Sequence, residues 1–300
     1  MRISKIYAAY KPVISFEIFP PRTEDRADIV SRLAADFRKL GPAFISVTYG
    51  AGGTTRDTTV EIASLLSGFG FTVMSHLTGV GHTVKEVDEV LARLHAAGVE
   101  NILALRGDPP RETANVYTAG DFAYAVDLIR HLRSKGVFGI AAAAYPEGHI
   151  ESPRIDLDWR HLKEKVDAGA EFLVTQLFFD NRVFYHFLES IRRMGIFCPV
   201  TAGILPVLNA GLLKRIVSLC GASVPAKVLG LLDRYADDPV SLEKAGIEYA
   251  TAQVADLIAN DVDGVHLYTL NRPEWVTQLL NNIGYKRREY LPASQAGLAR

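Results

Sequence analysis

VISFEIF, Val13–Phe19, is an almost unbroken apolar run with a single carboxylate, Glu17, set inside it. A parallel strand covered on both faces demands such a run. Working outward, similar runs recur at Phe44–Thr48, Thr72–Leu77, Asn101–Leu105, Gly139–Ala144, Phe172–Thr175, Val200–Gly203 and Gly264–Tyr268. The segments between them carry apolar residues near a 3.6 period. Ile29, Leu33, Phe37 and Leu40 share one helical face, as do Val84, Val87, Val90, Leu91 and Leu94, and Phe122, Val126 and Ile129. Thr83 and Glu86 have the spacing of a capping box. Gly41, Gly98, Gly136, Gly169, Gly195 and Gly221 each follow a helical pattern, where a left-handed stop is needed. Strand then helix, eight times in 300 residues, predicts an α/β chain folded as a single (β/α)8 TIM barrel spanning residues 1–300. An open doubly wound sheet is the competing arrangement. Eight units favour closure, which leaves no sheet edge exposed. The longest gap separates strands seven and eight, so extra helices are expected between Leu208 and Ala259.

Composition narrows the function. Apolar residues make up 48%, enough for a large core, and 33 basic against 34 acidic residues leave a net charge of −1. No basic surface for nucleic acid or an anionic membrane is implied. No apolar run approaches the ~20 residues that span a bilayer, and the N-terminus lacks a signal-peptide pattern. Cys198 and Cys220 form neither a metal spacing nor a disulfide framework, which suits a reducing cytoplasm. No metal site is expected.

In a barrel of this kind the chemistry sits at the C-terminal ends of the strands. Those ends deliver Glu17, Thr48-Tyr49, His76, Arg106-Gly107-Asp108, Tyr145, His149, Gln176, Tyr268 and Arg272. Glu17 carries the most information. An ionised carboxylate inside an apolar strand is costly unless paired. Desolvation is expected to raise its pKa and make it a proton donor near neutral pH. The alternative is a structural glutamate paired with an arginine inside the barrel. GAGGTTRD, Gly50–Asp57, is either a phosphate cradle or a flexible turn. In RGDPP, Arg106–Pro110, the cation and carboxylate either serve a ligand or pair with each other. His76 and His149 are either ligand donors or satisfied core histidines.

SFEIFPPR, FISVTYGAGGTTRD, SHLTGVGHT, NILALRGDPP, AAYPEGH, DAGAEFLVTQLFFD, GILPV and HLYTLNRPE, in this order, resemble the signature segments of the 5,10-methylenetetrahydrofolate reductases. The resemblance runs from about residue 13 to residue 275 and matches the short bacterial form. It implies an FAD enzyme. NADH or NADPH reduces the flavin and leaves, and methylenetetrahydrofolate then accepts hydride from flavin N5 to give 5-methyltetrahydrofolate for methionine synthesis. Glu17 matches the family's general acid, which protonates the departing N10. Asp108 matches the carboxylate that stabilises the resulting iminium cation. Gln176, Tyr268 and Arg272 match folate contacts, with Arg272 on the glutamate tail. Thr48, Tyr49, Ala51, His76, Arg106, Gly107, Asp108, Tyr117, Ala119, Tyr145, His149, Asp158 and Lys165 match dinucleotide contacts, with Arg106 and Lys165 suited to the diphosphate. Family members are homo-oligomers. Nothing in the sequence matches the regulatory domain of eukaryotic members, so inhibition by S-adenosylmethionine is not expected. Leu177, Ala202, His161 and Glu164 depart from the family's pattern. The alternatives are a flavin-free reductase with direct hydride transfer and a barrel that binds folate or flavin without turnover.

Overall fold

The computed structural model describes residues 1–49, 56–107, 120–288 and 290. Its strands are β1 (Val13–Ile18), β2 (Phe44–Val47), β3 (Val73–Thr78), β4 (Asn101–Leu105), β5 (Gly139–Ala144), β6 (Phe172–Thr175), β7 (Val200–Ile204) and β8 (Gly264–Tyr268). They hydrogen-bond in that order, and β8 returns to β1 in a parallel pairing that closes the barrel. All eight expected strands are present, with ends displaced by at most one residue.

The covering helices are α1 (Ile3–Ala9), α2 (Arg26–Leu40), α3 (Arg56–Gly68), α4 (Val84–Ala96), α5 (Ala125–Lys135), α6 (Ile155–Asp167), α7 (Asn181–Arg193), α8 (Ala210–Cys220), α9 (Ala226–Arg234), α10 (Pro239–Ala259) and α11 (Pro273–Asn282). Three of them, α8 to α10, fill the long gap before β8, as the spacing predicts. The capping box is formed: Glu86 N–H donates to Thr83 Oγ1, and the Glu86 carboxylate accepts from Thr83 N–H. Gly41 stops α2 with φ 64°, where a side chain would be strained. Phe122 differs from expectation. It precedes α5 rather than lying on it, yet it is buried, because it fills the space above Gly79.

Period-two alternation divides the core. On β1, Ile14, Phe16 and Ile18 pack outward into the layer between barrel and helices, where Phe16 meets Phe37 of α2 at 5.0 Å between ring centroids. Val13 faces inward at the N-terminal end, in a cluster with Phe44, Met74, Leu103 and Phe172. The short helix α1 has no counterpart in the sequence reading. It closes that end of the barrel with Ile3 and Ile6, and Ile3 N–H donates to Asn101 Oδ1 at 2.8 Å. One end of the barrel is thus apolar and plugged, which leaves the other for polar chemistry.

Candidate active site

On β1, β2, β3 and β8 the inward-facing positions nearer the C-terminal ends are polar: Glu17, Ser46, His76 and His266. Register sets Ser15 beside His266, and Glu17 beside both Ser46 and Tyr268. Ser46 Oγ donates to Glu17 Oε2 at 3.2 Å, and His266 Nε2 lies 3.4 Å from the same oxygen. His76 Nε2, from β3, lies 3.3 Å away on another side, off the line of a good hydrogen bond and without another partner among the described residues. Glu17, Ser46, His76, Ser15 and His266 are all buried.

This arrangement corrects the expected proton affinity of Glu17. Burial does push its pKa up, and is the largest single influence, but the two imidazoles together outweigh it. They hold the carboxyl down to about 2. Among the described residues no arginine pairs with Glu17, the alternative considered from the sequence; its side-chain partners are the two histidines and Ser46.

The segment after β8 fixes the Glu17 strand from outside. Thr269 Oγ1 donates to Glu17 O at 2.5 Å. Asn271 accepts from Phe19 N–H at 2.9 Å and donates to Phe19 O at 2.7 Å. Leu270 and Asn271 sit at φ 53° and 58° to make this turn, a conformation L-residues rarely take. Trp275 Nε1 donates to Thr269 O beneath it. Tyr268 reaches across β7 to donate to Thr175 O at 2.7 Å, and Gly203 makes room: a Cβ there would lie 2.3 Å from that same oxygen.

A second region opens beside the ends of β4 and β5. A cavity of about 520 Å³ is lined by Arg106, Tyr145, His149, Asp158 and Lys165, all foreseen as dinucleotide contacts, together with Tyr124 and Glu151, which were not. Lys165 Nζ donates to Ala143 O at 2.7 Å. Among the described residues no carboxylate lies within ion-pair distance of it, and burial lowers its pKa to about 8. Tyr145 packs edge-on against His149 with ring centroids 4.7 Å apart. Arg106 Nη2 donates to Glu151 at 2.7 Å.

The remaining foreseen residues are placed as follows. Thr48 and Tyr49 follow β2, and the buried Tyr49 hydroxyl has no partner among the described residues. Gly107 follows β4 with φ 88°. Gln176 follows β6 and accepts from Leu177 N–H through its own side chain. Arg272 is engaged by a residue the sequence did not single out: Glu243 of α10 accepts from Nη2 at 2.7 Å and from Nη1 at 3.1 Å. Ala51, Asp108, Tyr117 and Ala119 lie outside the described residues.

Comparison with known proteins agrees with this geometry. The family described as methylenetetrahydrofolate reductase matches residues 2–284. The chain belongs to the methylenetetrahydrofolate reductase family. A 5,10-methylenetetrahydrofolate reductase of Pectobacterium carotovorum is 34% identical over 274 residues, covering 91% of this chain and 90% of that protein. Methylenetetrahydrofolate reductase (NADH) 1 of Arabidopsis thaliana is 36% identical over 296 residues. That match covers 94% of this chain but 50% of the plant protein, so the chain spans about half the length of its plant relatives. Among solved structures, an uncharacterized protein from Clostridium thermocellum that binds two copies of 5-methyl-5,6,7,8-tetrahydrofolic acid superposes with a TM-score of 0.63. It covers 94% of this chain and 98% of its own at 14% identity, a likeness of fold.

Set against the reductase signature segments, the polar interior holds more than those segments foretold. Ser15, Ser46 and His266 all lie inside quoted motifs. Their serine and histidine side chains give no local sign that three strands converge on one carboxylate.

Proposed function

We propose that this protein reduces 5,10-methylenetetrahydrofolate to 5-methyltetrahydrofolate, with NADH or NADPH as reductant and FAD as the carrier between two half-reactions. The observation that carries this reading is Glu17, a buried carboxylate at the open end of the barrel, in a chain of this family. The residues present suit FAD. The cavity beside β4 and β5 has a volume in the range of cofactor sites, an aromatic wall at Tyr145, and in Lys165 a half-buried amine with no carboxylate partner within ion-pair distance among the described residues. Arg106 and Lys165 would hold the diphosphate, with Tyr145, His149 and Asp158 around the rest of the dinucleotide. When bound, FAD supplies a group that takes hydride from the nicotinamide and gives it to the one-carbon unit.

The chain's own residues supply the proton and the orientation. Opening the imidazolidine ring to an iminium needs a proton on the departing N10, and Glu17 delivers it. Arg272 binds the carboxylates of the glutamate tail through its planar fork, for which Glu243 stands in here. Gln176 and Tyr268 line the substrate's approach. Asp108 opposes the positive charge that ring opening creates. The plant relatives carry NADH in their names, which favours NADH over NADPH as reductant.

Purified protein should carry flavin absorbance that NADH bleaches without folate and that methylenetetrahydrofolate restores. A colourless protein that cannot be reconstituted with FAD would exclude the carrier and favour direct hydride transfer. The Glu17→Gln variant should still bleach, but its reoxidation by folate should slow by about 10²–10⁴-fold, the usual loss with a general acid.

A further inference from the structure

Glu243 meets Arg272 edge to edge: Oε1 accepts from Nη2 at 2.7 Å and Oε2 from Nη1 at 3.1 Å. This is the end-on face of the guanidinium, whose two parallel N–H groups match the spacing of a carboxylate. The glutamate tail of a folate ends in carboxylates of the same shape. We propose that Glu243 is a specificity-determining residue that competes with the glutamate tail for Arg272 and so sets the affinity for folate; the proposal rests on the reductase reading above.

The fold places this competitor firmly. Asp238 caps α10 by accepting from Ser241 N–H, and Pro239 opens its first turn. Leu242 is buried with Leu205 and Val207 of the segment after β7, and Tyr268 and Leu270 pack against the same cluster. One turn on, Gly246 brings the helix directly onto that segment: a Cβ there would collide with Val207 O. Glu243 therefore stands on a helix seated against the strand end and turn that lead to Arg272. Arg272 is fixed from its own side, since its N–H donates to Thr269 O at 3.0 Å. Neither backbone is free to withdraw, so the fork opens only by side-chain rotation.

Electrostatics decide the sign. Glu274, in the first turn of α11, is a second carboxylate whose charge reaches Arg272, more weakly than that of Glu243. One guanidinium thus faces two carboxylates before substrate arrives. A tail carboxylate has two ways in. If it takes the end-on face, Glu243 turns away and one ion pair is lost as another forms. If it takes the Nε edge, two carboxylates share one cation at close range. Either way Glu243 subtracts from tail binding, and an uncharged residue in its place would strengthen it. The Arg272 and Glu243 side chains are 41% and 36% exposed, so water and salt screen the effect and keep it modest.

The test is calorimetry of the protein as purified, with 5-methyltetrahydrofolate and with 5-methyltetrahydropteroate, the same compound without its glutamate. Wild type is compared with Glu243→Gln and Glu243→Ala at low and moderate salt. Both variants should bind 5-methyltetrahydrofolate about 3–5-fold more tightly, the upper part of what an exposed ion pair contributes. The gain should shrink as salt rises. Binding of the tail-less compound should match wild type, and in turnover KM for methylenetetrahydrofolate should fall with the dissociation constant. Equal or weaker binding of 5-methyltetrahydrofolate by the variants would overturn the proposal, because Glu243 would then orient Arg272 for the tail or leave it unaffected. A gain shared by the tail-less compound would overturn it too, since the effect would not lie at the tail. In both cases the reductase reading stands. A wild type that binds neither compound would overturn the reductase reading, and the proposal with it.

Discussion

Two charged residues show how surroundings set chemistry. Glu17 is buried and Lys165 half-buried, yet the outcomes differ because their partners differ. Two imidazoles more than offset the cost of burying the Glu17 charge. Lys165 has a backbone carbonyl and the more distant Asp158, so desolvation prevails and its pKa falls from 10.5 to about 8. For a lysine lowered on folding, the unfolded chain binds more protons between these values. Lys165 therefore adds stability as pH rises from 8 toward 10.5, and opposes folding below that window. A diphosphate placed against it would favour the ammonium form and draw a proton from solvent. Binding of FAD to apoprotein at pH 8.5, measured by calorimetry in two buffers of different ionisation enthalpy, should show a sizeable fraction of a proton taken up. Lys165→Met should abolish the uptake. Identical heats in both buffers for the wild type would show that no diphosphate charge comes near Lys165.

Among the elements, the turn after β8 links sequence motif to site. Its Thr269 and Asn271 bind the backbone of Glu17 and Phe19, so the segment holds the Glu17 strand as well as carrying Arg272. Asn271→Ala removes two hydrogen bonds and puts alanine at φ 58°, where asparagine is better tolerated. The expected loss is about 1–3 kcal/mol in chemical denaturation, with the folate half-reaction slowed more than bleaching by NADH. A variant as stable as wild type would show that the turn holds itself. Legibility differs among these elements for physical reasons. The strands and most helices are readable because burial writes its period into the sequence. His266 and Ser15 meet 251 positions apart, a pairing that exists only once β8 closes on β1. Glu243 sits in the first part of a long helix and looks like any solvated charge until α10 lies against the turn that carries Arg272. The seven-residue α1 is too short for its period to stand out.

At the scale of the whole molecule the barrel separates stability from chemistry. The N-terminal end is closed by Ile3 and Ile6 of α1 over Val13, Phe44 and Phe172, an apolar plug with few polar groups. The hydroxyls of Tyr7 and Thr201 are hydrogen-bonded within the same end. Above it, the polar layer begins at Ser15 and His266 and ends at Glu17, and the two layers meet where Phe44 stacks on His266 at 6.0 Å between ring centroids. Ile6 is 1% exposed, and truncating such a side chain removes its transfer energy and leaves a cavity that neighbours fill only partly. Ile6→Ala should therefore lower unfolding free energy by about 2–4 kcal/mol while leaving both half-reactions near wild-type rates, because a barrel's chemistry lies at the other end of its strands. Denaturant titration and half-reaction kinetics on the same preparation check both parts. A variant that folds stably yet loses folate turnover would mean that α1 reaches the active end through the interior, and that the two ends of this barrel are coupled.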